Sequence, residues 1–110
     1  MWYLKAQWHH DFDDEPVELF SEIGDDGFEV RKVEVFRDGH GDWADAGRGT
    51  GTTELGQIPV PTPEELNAET EFTALQIDAR EFEEVWLRAL AEQRPASPRR
   101  PGRADGSPTA

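Results

Sequence analysis

Asp78-Ala79-Arg80-Glu81-Phe82-Glu83-Glu84-Val85-Trp86-Leu87-Arg88-Ala89-Leu90 is the stretch on which the fold turns. Phe82, Val85, Trp86, Ala89 and Leu90 recur at i, i+3, i+4, i+7 and i+8, which places all five on one face of a helix. Asp78, with Glu81 three residues on, is a helix-start pair. The spacing predicts an amphipathic helix over 78–93. One apolar stripe needs one apolar surface to lie on, so the rest of the chain should supply a sheet, with Trp86 buried against its first and third strands.

The N-terminal half reads as that sheet. Trp2, Leu4, Ala6 and Trp8 alternate with Tyr3, Lys5, Gln7 and His9, the period-two pattern of a half-buried strand. His10 to Pro16 is a polar loop. Val17, Leu19 and Ile23 share the phase of a second strand, with Glu18, Phe20 and Glu22 on its other side. Gly24-Asp25-Asp26-Gly27 marks a tight turn, because Gly and Asp tolerate positive φ. A third strand runs from Phe28 to Arg37, but Phe28 and Val30 fall out of phase with Val33 and Val35. A β-bulge near Arg31-Lys32 would restore one buried face; burial of both faces is the alternative. Asp38-Gly39-His40-Gly41 is a second turn, leading to a short strand around Trp43.

Gly47 to Thr53 reads as a Gly/Thr loop, and Leu55 to Pro61 as an extended connection. Thr62-Pro63-Glu64-Glu65 combines a capping threonine, proline at the first helical position and a glutamate three residues beyond the cap, so it starts a short helix ending near Ala68 or Glu69. Phe72 to Ile77 is a fifth strand. The fold class is therefore α+β: an antiparallel meander of four to five strands packed by a C-terminal amphipathic helix, with one short extra helix. Residues 1–93 form a single domain. Residues 94–110, rich in Pro, Arg, Gly and Ser, bury too little to offset their ordering entropy and read as a disordered tail.

Charge divides the chain the same way. Of 24 acids and 11 bases, residues 94–110 take Arg94, Arg99, Arg100 and Arg103 against Asp105, which leaves 23 acids and 7 bases in residues 1–93. A body this acidic repels nucleic acid and anionic membranes and attracts basic protein surfaces or cations. No run approaches the ~18 apolar residues of a membrane span. Met1 to Trp8 lacks the basic lead and apolar run of a secretion signal, and there is no cysteine, so a cytoplasmic setting is expected.

Chemistry has few footholds. His9-His10-Asp11-Phe12-Asp13-Asp14-Glu15 offers imidazoles and carboxylates suited to a divalent ion, with His9, His10, Asp11 and Asp13 as the candidate ligands. Its spacing fits no calcium loop, since Pro16 stands where glycine is required, and adjacent histidines point to opposite faces of a strand end. Gly47-Arg48-Gly49-Thr50-Gly51 lacks the lysine and following helix of a phosphate loop. Ser21 is the only serine before the tail, and a Ser21–His40–carboxylate set could be assembled in any small acidic protein. No catalytic residue and no cofactor are assigned. Trp2, Trp8, Trp43 and Trp86 fall on core phases and read as core anchors. Arg31 and Lys32 either pair with neighbouring acids or mark a small anion site.

Trp2-Tyr3-Leu4-Lys5 to Trp8-His9-His10, Asp14-Glu15-Pro16-Val17, Ser21-Glu22-Ile23 and Glu29-Val30-Arg31-Lys32-Val33-Glu34-Val35-Phe36 carry a likeness, continued by Gly41-Asp42-Trp43-Ala44, Ile58-Pro59-Val60-Pro61 and Glu81-Phe82-Glu83-Glu84-Val85-Trp86. Over about residues 1–90 the chain resembles a family of small bacterial proteins, common in actinomycetes, known as a domain of unknown function. The resemblance implies a bacterial origin and a compact domain, and carries over no catalytic residue.

The sequence alone assigns no activity, and it favours binding over catalysis. The first expectation is an acidic protein-interaction module, of the inhibitor or immunity type, that binds a basic partner. Asp11, Asp13, Asp14 and Glu15 on one loop and Asp25 and Asp26 on the next turn are its candidate contacts. The alternative is a small-ligand or divalent-metal-binding domain using the His9–Glu15 loop. A ligand reading needs a concave pocket beside named polar groups.

Overall fold

A computed structural model describes residues 1–92 of the chain. The expectations for residues 94–110, and the domain boundary at residue 93, lie outside the described residues. The alternation at the N-terminus forms β1 (Trp2–Trp8), followed by β2 (Glu18–Ile23), β3 (Glu29–Val35), β4 (Gly41–Asp45) and the two-residue β5 (Arg48–Gly49); α1 (Pro63–Asn67), β6 (Phe72–Ile77) and α2 (Ala79–Glu92) complete the chain. The strands make one sheet in the order β5-β4-β3-β2-β1-β6, and every neighbouring pair is antiparallel. The fold is α+β, with six strands where four to five were expected. The extra strand is β5, too short to show a period of its own inside the Gly/Thr loop.

Both helices begin as their cap residues dictate. Thr62 accepts the Glu65 N–H at 3.1 Å while the Glu65 carboxylate accepts the Thr62 N–H at 2.8 Å, a closed capping box with Pro63 in the first turn. Asp78 Oδ1 accepts the Glu81 N–H at 2.8 Å. Phe82, Trp86 and Ala89 of α2 are buried against Phe20, Val33, Trp43 and Ile77, with Tyr3, Val35, Val85 and Leu90 around them. Trp86 meets Trp43 of β4 edge to face at a centroid distance of 5.2 Å, in a cluster that also holds Val33 of β3 and, packed against it, Tyr3 of β1.

The expectation of one buried sheet face is corrected. α2 covers the face that carries Tyr3, Phe20 and Val33, so Phe20, and not Leu19, is the β2 residue beneath the helix. The other face is also covered: Leu4, Ala6, Ile23 and Ala74 form a second cluster, closed by Trp2, Leu19, Val60 and Leu66. The phase slip in β3 is a register shift, since Ile23 pairs with Glu29 but Glu22 pairs with Arg31, leaving Val30 unmatched. The irregularity sits beside the expected position, but it joins two faces that are both used.

The outer edge of β6 is partly closed. The Asn67 carboxamide accepts the Ala74 N–H at 2.6 Å and donates to the Ala74 carbonyl at 2.8 Å, imitating a neighbouring strand for one residue. Among the described residues no helix is long and apolar enough to cross a membrane.

Candidate functional site

The polar β1–β2 connection is tied down at several points. Trp8 N–H donates to Val17 O, His9 N–H to Glu71 O and Val17 N–H to Val35 O, all within 2.9 Å. His10 Nδ1 accepts the Phe12 N–H at 3.0 Å, so its other nitrogen carries the proton and donates to Pro16 O at 2.8 Å. From the turn after β3, Arg37 donates to His10 O at 2.9 Å and to Phe12 O at 3.3 Å. That guanidinium pulls the loop onto the β3–β4 turn.

The result is a shallow concavity that neither segment forms alone. Asp13 and Asp14 line it from the loop, and Phe36, Arg37, Asp38, His40 and Asp42 from the turn and β4. Asp38, His40 and Asp42 come together because the His40 ring reaches a carboxylate on either side of it. The His40 ring stacks on Phe36 at 4.4 Å with planes 4° apart. Its Nδ1 pairs with Asp38 Oδ1 and its Nε2 lies 3.8 Å from Asp42 Oδ2. Bonds from the His40 backbone and then its ring hold the Asp38 carboxyl below the ordinary carboxylate range. Asp42 is buried and accepts from the Thr50 hydroxyl at 2.9 Å, while Thr50 Oγ1 accepts the Trp43 N–H. Gly51 must be glycine here: its φ is +57°, and a Cβ would lie 2.6 Å from an Asp42 oxygen.

The expected contacts separate accordingly. Asp13 and Asp14 enter the concavity, whereas Asp11 and Glu15 are exposed on the same loop without lining it. Asp25 and Asp26 sit at the other end of β2. The N-terminal ammonium bonds Asp25 at 2.8 Å and lowers its pKa, and Asp26 accepts the Phe28 N–H within its own turn. The metal set is not assembled. His9 bonds Thr73 Oγ1 on β6, both His10 nitrogens are engaged, and among the described residues no three His, Asp or Glu side chains converge as a metal site. Trp43 and Trp86 lie in the core and Trp2 packs on the second cluster. Trp8 is half-buried, its ring against His10, Phe12 and Phe72 and its N–H on Glu71.

Arg37, Asp38, His40 and Asp42 were not singled out as binding residues from the sequence. The Asp38-x-His40-x-Asp42 spacing was the available signal, hidden because its first half reads as a turn.

The body's bases are mostly committed internally. Lys5 pairs with Glu18, Arg31 with Glu22 and Glu83, Lys32 with Glu29, Arg48 with Asp45 and Arg80 with Glu84, while Arg37 holds backbone carbonyls. The charge left facing solvent is accordingly negative.

The family model described as "Domain of unknown function (DUF6881)" matches residues 2–91. The chain belongs to this family. The match spans every strand of the described residues and nearly all of α2, and so includes both segments that line the concavity. No curated protein and no solved structure matches this chain.

Proposed function

We propose that this domain binds a basic protein partner, receiving a lysine or arginine side chain in the concavity between the β1–β2 loop and the β3–β4 turn. The carrying observation is the Arg37 clamp, which sets Asp13 and Asp14 beside Asp38 and Asp42 around one depression. Carboxylates supply the charge, and the stacked Phe36–His40 pair supplies a wall against which an alkyl or guanidinium stem can lie. With most internal cations already paired, the acidic field is available to steer a basic partner into place. The inhibitor or immunity type of interaction suits this arrangement, since an acidic concavity complements a basic surface. The proposal includes the bacterial setting that the resemblance implies, with the interaction in the cytoplasm.

Affinity capture from a bacterial lysate at low and high salt, with the wild-type domain and its Asp13→Lys/Asp14→Lys variant, tests the reading. Basic proteins should be captured by the wild type, released as salt rises, and missed by the variant, because charge reversal acts mainly on the association rate. Capture that is indifferent to both changes, or an acidic partner, sinks the proposal.

A further inference from the structure

A second cavity lies on the sheet face opposite α2 and shares no lining residue with the acidic concavity. The segment 56–61 crosses above Leu4, Ala6 and Leu19, and Leu66 of α1 closes one side. The space beneath measures about 250 Å³. A water's share of liquid volume is about 30 Å³, so this holds an organic molecule of roughly ten non-hydrogen atoms. Most of the wall is carbon. In the strap Ile58-Pro59-Val60-Pro61, Val60 packs inward on the Leu4–Ala6 cluster and Ile58 faces solvent, so the cavity is a half-open slot along the strap.

One end is polar and firmly built. Glu29 Oε2 accepts from Ser21 Oγ at 2.9 Å, and Glu29 Oε1 accepts the Gly56 N–H at 2.6 Å and lies 3.1 Å from Lys32 Nζ. Lys32 also donates to Glu54 O at 2.9 Å, and Glu34 Oε1 accepts from the Thr53 hydroxyl at 2.6 Å. The side chains of Glu29 and Lys32 are only 9% and 15% exposed, so little water dilutes their field. An ammonium carries three N–H groups and a carboxylate several acceptor sites. Beyond the bonds just described, this end can therefore offer one donor from Lys32 and an acceptor from Glu34.

Its charge selects the ligand. Two carboxylates, Glu29 and Glu34, line the cavity with one ammonium, so an anionic head is repelled. A cationic head would compete with Lys32 for Glu29 and give up its own hydration in a mostly apolar cavity. A neutral head that both accepts and donates meets neither penalty. We infer that this cavity binds a small neutral molecule with an apolar body and an amide-like head, its carbonyl on Lys32 and its N–H on Glu34. This site is independent of the basic-partner reading.

NMR titration of the full isotope-labelled chain with benzamide, benzoate and benzylamine tests the assignment. Benzamide should shift the backbone amides of Ala6, Leu19, Gly56 and Val60, with benzoate and benzylamine each weaker by about tenfold or more, as a mismatched head beside the largely buried Glu29–Lys32 pair requires. Leu19→Phe, which fills the floor, should abolish the benzamide shifts, with Val60→Phe serving if that chain does not fold. Asp13→Lys/Asp14→Lys should leave them unchanged, which separates this site from the acidic concavity. Absence of localised shifts with benzamide, equal response to all three probes, or benzamide binding that survives the filling variant overturns the inference.

Discussion

Arg31 stands between two carboxylates and two rings. Its Nε and one terminal nitrogen bond Glu22 at 2.6 and 3.0 Å, its terminal nitrogens reach Glu83 at 2.8 and 3.2 Å, and its carbon lies 5.0 and 4.9 Å from the ring centres of Phe82 and Trp86. Of the two roles open to this rare cation, pairing and anion binding, the structure realises pairing. Glu22 is buried, and it also accepts the Tyr3 hydroxyl at 3.2 Å. Burial first, and then the bond to Glu22, raises the Tyr3 pKa. The Arg31 bonds hold Glu22 and Glu83 below their ordinary value of 4.5. Groups depressed in the folded state stabilise it fully above the unfolded pKa, and that contribution is lost as pH falls through the folded values. Wild-type stability should therefore drop as pH is lowered from about 6 to about 3, read as urea midpoints. Arg31→Met should cost about 3–5 kcal/mol near neutrality, because it strands Glu22 as a buried charge. With its partner gone, the Glu22 pKa should rise above the unfolded value. The variant's deficit should then shrink at low pH, and a pH-independent deficit would show that Arg31 acts only through packing.

At the scale of elements, Asn67 on a five-residue helix has an outsized effect. By pairing with both polar groups of Ala74 it blunts the outer edge of β6. Asn67→Ala should cost about 1–3 kcal/mol for the two unmet groups. It should also add a concentration-dependent dimer in analytical ultracentrifugation, since the freed edge can pair with a second copy. A strictly monomeric variant would show that other features guard the edge. Asn67 was invisible in the sequence, because its partner lies across a loop that no local rule describes. What could be read locally did form: the capping box at Thr62, the span of β6 and the stripe of α2 depend on near neighbours only. The two-faced sheet did not follow from the pattern, because Val30 drops out of register and Leu66 and Val60 looked like parts of a short helix and a connection. They were in fact the cover for Leu4 and Ala6. The same limit governed the candidate site. The acids of residues 11–15 were conspicuous, but their meeting with Asp38 and Asp42 depends on Arg37, 25 residues from Phe12.

For the molecule as a whole, the balance of 23 acids to 7 bases in residues 1–93 is sharpened by folding, which engages most of the bases in internal pairs. Repulsion among the remaining carboxylates should weaken as counterions accumulate. The melting temperature should rise as salt goes from about 0.02 to about 0.2 M, where the screening length falls below about 10 Å. A flat or falling curve would mean that the pairs, which salt also weakens, outweigh the repulsion. The order of elements has a further consequence. Every strand that α2 covers precedes it, so Phe20, Val33 and Trp43 are synthesised before Phe82 and Trp86. At about 5–20 residues per second, the growing chain carries β1 to β4 for roughly two to ten seconds before their helix exists. Until α2 joins it, the meander has an uncovered aromatic face, the kind of surface that hydrophobic-binding chaperones take up. The order of elements, with the covering helix last, therefore sets how long that face stays uncovered.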